Sequence, residues 1–123
     1  MNLRDKILNG VKNAGDRTAF VTEHESVSYK ELLIMAESLV QFIKSKNIKP
    51  ASYLCIEVSR NKDFLVGLLA SIILQLVLVP LKYGLNKGEK VGLINTSTPE
   101  HILTKEEDQW VLSKTTHNVA NDV

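Results

Sequence analysis

Cysteine is almost absent from the sequence: Cys55 stands alone, so no disulfide can close within the chain. A lone thiol suits a cytoplasmic protein. Cys55 falls inside an apolar strand pattern with no cationic neighbour to lower its pKa, so it reads as a buried, inert thiol rather than a nucleophile. Histidine is scarce too. His24, His101 and His117 are widely spaced, no pair has metal-ligand spacing, and each falls at or near a turn or the tail, so they read as solvated. The six glycines are scattered singly. None opens a helix directly after a strand, so no glycine-rich phosphate loop exists. Charge of either sign is not in excess: 15 basic residues face 14 acidic ones, for a net +1. With no basic block, nothing electrostatic argues for nucleic acid or an anionic membrane as a partner. A membrane span is absent as well. Phe64 to Pro80 carries no charge, but it is shorter than the roughly 20 residues needed to cross a bilayer. It also contains Gly67, Ser71 and Gln75. Met1 to Gly15 is polar and mixed in charge, unlike a signal peptide.

What is present centres on Tyr53 to Leu81. Tyr53 to Val58 reads as a strand, Ser59 to Asp63 as a polar break, and Lys62 to Leu74 as a helix. Leu76 to Pro80 reads as a second strand. Strand, helix and strand in this order imply parallel pairing through a right-handed crossover. Phe64, Leu65, Val66, Leu68, Leu69, Ile72 and Ile73 make the helix apolar on nearly every side, which predicts burial. The unbroken apolar run of the second strand predicts cover on both faces. The expected core is Leu54, Ile56, Leu68, Leu69, Ile72, Val77 and Val79.

The rest reads as material added around this unit. Asn2 to Ala14 is an amphipathic helix with Leu3, Ile7, Leu8 and Val11 on one face, ended by Gly15-Asp16. Thr18 to Thr22 is a short strand and His24-Glu25 a turn. Ser28 followed by Glu31 is a capping box, with Val27 and Leu32 placed for a hydrophobic staple. The helix it opens runs to about Lys46, with Leu32, Met35, Ala36, Leu39, Val40 and Ile43 inward. Asn47 suits a left-handed terminator, and Pro50 prevents resumption. Lys82 to Lys87 reads as a loop, Gly88 to Asn95 as a weak helix, and Thr96 to Pro99 as its break. His101 to Thr104 is a strand, Lys105 to Asp108 a charged turn, and Gln109 to Ser113 a last strand. From Lys114 the chain is polar and without period, so residues 1–113 form one domain and 114–123 a frayed tail.

Chemistry is mostly missing. No serine or cysteine has a recognisable base beside it. Glu23 and Glu25, and Glu106, Glu107 and Asp108, fall in turns where solvation explains them. The expected sets of catalytic, cofactor-binding and metal-binding residues are therefore empty. The residues alone describe a parallel α/β scaffold.

The order of the segments resembles the N-terminal part of the adenylate-forming (AMP-binding) superfamily of acyl-CoA synthetases, peptide-synthetase adenylation domains and luciferases. Val27-Ser28-Tyr29-Lys30-Glu31-Leu32 resembles its L-T/S-Y-x-E-L. Asn47-Ile48-Lys49-Pro50 resembles G-V-x-P-G-D, with Asn47 and Ser52 in place of a glycine and an aspartate. Asn61-Lys62-Asp63-Phe64 resembles S-x-E-F. Leu76 to Leu81 resembles A-x-V-x-V-P-L, and His101 to Thr104 the later L-L-T strand. The resemblance runs from Thr18 to Thr104. Three departures stand out. The pattern's K-A-G is Ile73-Leu74-Gln75, its aspartate after V-P-L is Lys82, and its T-S-G-T-T-G-x-P-K loop has no counterpart after Trp110 to Ser113.

The resemblance implies a small three-layer, Rossmann-like parallel-sheet α/β subdomain with helices on both faces. It implies the scaffold of a ligase that activates a carboxylic acid as acyl-AMP and passes it to a thiol, the chain being inactive alone. No cofactor is expected for this chain. ATP, Mg and CoA or a carrier-protein thiol belong to the complete enzyme. The implied partner is the remainder of such an enzyme or a second copy of the chain. A stand-alone interaction module on the same fold is the alternative, and an unrelated flavodoxin-like domain the third.

Overall fold

The computed structural model describes residues 2–81 and 101–114. Helix α1 (Leu3–Ala14) is opened by Asn2, whose side chain accepts the Asp5 N–H, and is closed by Gly15 at φ 49°. Strands β1 (Thr18–Val21) and β2 (Ser26–Ser28) pair antiparallel as a small hairpin. The Thr22 hydroxyl organises its tip by accepting the His24 and Glu25 N–H groups.

Helix α2 (Tyr29–Lys44) begins at the expected capping box. The Ser28 hydroxyl accepts the Glu31 N–H, and the Glu31 carboxylate accepts the Ser28 N–H. Two amides that would otherwise lack partners are satisfied by a motif four residues long. Val27 and Leu32 of the staple are both buried. The face carrying Leu32, Ala36, Leu39, Val40 and Ile43 points into the core.

Strand β3 (Tyr53–Glu57), helix α3 (Asn61–Leu74) and strand β4 (Val77–Pro80) form the expected parallel unit. On the other side of β3 lies β5 (His101–Glu106), also parallel, followed by antiparallel β6 (Gln109–Lys114). The sheet order is β4-β3-β5-β6. The fold is α/β, a mixed sheet built on parallel strands with helices packed against it. Leu54, Ile56 and Leu103 share one cluster with α2 and α3, and Cys55, Val79, Ile102 and Leu81 form a second. These alternate along the strands, as opposite sheet faces must. Gly67 lets α3 approach β3 closely, since a Cβ there would meet Ile56 Cδ1. The loop 82–87, the helix expected at 88–95, the break 96–99 and the tail after β6 lie outside the described residues.

The core differs from expectation at two positions. Leu54, Ile56 and Leu69 are buried, and Ile72 and Val79 half-buried, but Leu68 is 37% exposed and Val77 44% exposed. Leu68 occupies the strip of α3 that its neighbours leave uncovered. Val77 opens β4, which is an edge strand of the described sheet, so an apolar run did not mean cover on both faces. The Val77 N–H donates to the carbonyl of Ser52, just before β3, and the Leu81 N–H to that of Ile56 in β3. By alternation Pro80 faces away from β3, where its missing N–H removes a donor from the edge.

Three left-handed residues carry side chains where the resembled pattern has glycine: Asn47 at φ 58°, Ala51 at φ 66° and Gln75 at φ 59°. Gln75 ends α3 in a Schellman arrangement, with Leu76 N–H donating to the Ser71 carbonyl at 2.9 Å and Gln75 N–H to Ile72. The last turn of α3 has no basic residue of its own. Arg4 of α1 serves instead, donating to the Ile72 and Ile73 carbonyls at 2.8–3.2 Å. The Ala51 N–H bonds the Gln75 carbonyl at 2.8 Å, so two strained residues hold each other. Gln75→Gly and Ala51→Gly are each expected to raise stability by about 0.5–1 kcal/mol, the relief of positive φ less the entropy of a freer unfolded chain. Urea midpoints check this. Unchanged midpoints in both variants would mean that the side chains' own contacts offset the strain.

Cys55 is fully buried, as expected. Burial pushes its thiol from 9.0 up to about 11. Between these values the folded thiol keeps its proton while the unfolded one loses it. The stability this group contributes is therefore whole below pH 9 and is lost as pH rises through 11. An interval of that width corresponds to about 2–3 kcal/mol. Unfolding free energies of wild type and Cys55→Ala should diverge against the wild type by that amount across the window. A constant difference would mean that the folded thiolate reaches water.

Candidate functional site

In open α/β sheets ligands sit outside the carboxyl ends of the strands, where the strand order reverses. Here that place is between β3 and β5. The chain leaves β3 through α3 to β4 on one side, and β5 lies on the other. The first turn of α3 and the β5–β6 turn meet there.

Their meeting is built on Asp63, a carboxylate 3% exposed in the first turn of α3. Its two oxygens are taken separately: Arg60 Nε donates to Oδ2 at 2.8 Å and Lys105 Nζ to Oδ1 at 3.1 Å. Arg60 also reaches Asp108 at 3.2 Å. Lys105 lies over the Trp110 ring, 4.8 Å from its centroid. The Asp63 hydrogen bond, then its charge, raise the Arg60 guanidinium above its usual pKa. The carboxylate also sits near the positive end of α3, which has no side-chain cap.

The turn that supplies Asp108 is tighter than the sequence suggests. β5 continues to Glu106, which pairs with Gln109, so only Glu107 and Asp108 form the turn. Both are left-handed, at φ 49° and 63°. That is a two-residue primed turn without the usual glycine. Lys105, read from sequence as a turn residue, is a strand residue facing Asp63.

Two hollows flank Arg60. One, of about 240 Å³, lies between Ser59, Asp63, Lys105 and the Glu107-Asp108 turn. The other, of about 490 Å³, lies between the β1–β2 tip and the start of α3, over Phe20. There Lys62 bridges both oxygens of Glu25 at 3.1 and 3.2 Å. The carboxylates expected to be merely solvated thus divide: Glu25 and Asp108 are paired. Sequence spacing offers Asp63 only Arg60, three residues before it; the second cation, Lys105, is 42 residues away.

His24 is exposed, as expected. His101 is not simply solvated: it opens β5 half-buried, and its Nδ1 is buried with no hydrogen-bond partner among the described residues. His117 lies outside the described residues. Among the described residues no group of three or more His, Cys, Asp or Glu could hold a metal ion. Among them, too, no helix is long and apolar enough to cross a membrane. The arrangement is a set of charges satisfied by one another, and among the described residues no nucleophile or base is aimed into the crevice.

A family model described as "AMP-binding enzyme" matches residues 9–122. Gramicidin S synthase 2 of Brevibacillus brevis and that of Aneurinibacillus migulanus are each 36% identical over 59 residues, which is 48% of this chain and 1% of either synthase. The chain thus spans a very small part of the curated relatives it matches. Among solved structures, the Klebsiella oxytoca NpsA N-terminal subdomain in complex with 3-hydroxyanthranilyl-AMSN superposes with a TM-score of 0.77 at 14% identity, over 85% of this chain and 27% of that one. A four-domain nonribosomal peptide synthetase bound to AMP and glycine superposes with a TM-score of 0.74 at 23% identity, over 87% of this chain and 8% of that one. Identities this low speak for the fold.

Proposed function

The chain belongs to the AMP-binding enzyme family, and from that we infer that it is an N-terminal scaffold piece of an adenylate-forming ligase, not catalytic by itself. The observation that carries this reading is the crevice between β3 and β5. Where an open α/β sheet would take a ligand, Asp63 is neutralised by Arg60 and Lys105 from within the chain. The sequence supports it too, since no glycine-rich segment could wrap a phosphate with backbone N–H groups.

In this reading the complete enzyme joins a carboxylic acid to AMP from ATP, releasing pyrophosphate, and transfers the acyl group to a thiol. ATP with Mg, and CoA or a carrier-protein thiol, belong to that enzyme. No residue of this chain is assigned to catalysis, to a cofactor or to a metal. Residues 1–113 act as one domain, with a polar tail after it, in the cytoplasm. The partner is the remainder of the adenylation fold or, in its absence, a second copy. The exposed Leu68 and Val77, and the Tyr53 side chain beside Val77 in register, support a need for cover.

One preparation tests both parts. The chain alone should give no carboxylic-acid-dependent exchange of pyrophosphate into ATP above buffer. It should elute as a dimer of its 13.8 kDa chain by gel filtration with light scattering. Exchange above buffer would overturn the scaffold reading. A monomer persisting at high micromolar concentration would remove the second copy as partner.

A further inference from the structure

We draw no further inference here: the strongest candidate, the hollow of about 490 Å³ between the β1–β2 tip and the first turn of α3, has its cations Arg60 and Lys62 already held by Asp63, Asp108 and Glu25 of the chain itself, and nothing in the structure besides the start of a helix points to a ligand for it.

Discussion

Replacing Asp63 with alanine is expected to destabilise the protein by about 2–4 kcal/mol, a large share of the stability of a small domain. The carboxylate has a side chain only 4% exposed, and its partner Lys105 is 19% exposed. Removing the anion leaves a mostly buried ammonium over the Trp110 face without its ion-pair partner. Breaking a buried pair costs more than the pair is worth, because one charge stays behind uncompensated. The lower part of the usual range applies, since the lysine stem can swing its amine towards water. Arg60 loses less, because it is half in solvent and keeps Asp108. The double variant Asp63→Ala/Lys105→Met should therefore recover a good part of the loss, and a double-mutant cycle isolates the coupling. Trp110 is the only tryptophan, so its fluorescence reports directly on the β5–β6 hairpin that carries it. Urea unfolding followed at that ring measures the effect. A loss below about 0.5 kcal/mol, or a double variant no more stable than the single, would show that the network does not hold the hairpin to α3.

Asp63 also shows where reading by sequence stops. The elements that could be read in advance were those with local signals. Ser28 and Glu31 satisfy each other across one turn, and the inward residues of α2 recur at helical spacing. The strand–helix–strand unit from Tyr53 to Pro80 rests on apolar runs separated by a polar break, and the structure pairs its strands as expected. What could not be read depends on partners distant in sequence. The burial of Asp63 needs Lys105, and the exposure of Val77 needs the knowledge that β4 lies at an edge. Lys105 to Asp108 looked like one charged turn because four polar residues say nothing about register. The ladder extends through Lys105 and Glu106 and leaves only two residues to turn.

The glycine positions argue the same way from the opposite side. The resembled pattern places glycine where Asn47, Ala51 and Gln75 stand, and composition alone would suggest a changed backbone. All three nevertheless take the positive φ that glycine adopts most readily. Each lies in a web of main-chain hydrogen bonds, from Asn47 to Lys44, from Ala51 to Gln75 and from Gln75 to Ile72. A conformation over-determined by its surroundings persists at a cost of about 1–3 kcal/mol per strained residue. The main-chain bonds that close α2 and α3 and join Ala51 to Gln75 thus hold a positive φ without a glycine.

Leu69→Ala is expected to cost about 2–5 kcal/mol, whereas Leu68→Ala, one residue earlier in the same helix, should cost under about 1 kcal/mol. Both changes remove the same atoms and bring the same helix propensity, so propensity cancels between them. The difference is packing alone. Leu69 is 5% exposed within the cluster that joins α2, α3 and the sheet, and Leu68 is 37% exposed. Truncating Leu69 forfeits its transfer free energy and opens a cavity in the cluster that can close only partly. Truncating Leu68 removes a group that already meets water. The pair also tests the apolar strip beside Leu68. If Leu68→Ala costs as much as Leu69→Ala at a concentration where the chain is a dimer, but little once it is diluted to a monomer, the strip is the interface between copies. Equal losses at every dilution would place Leu68 in the core of the single chain and remove the ordering of α3 faces on which the comparison rests.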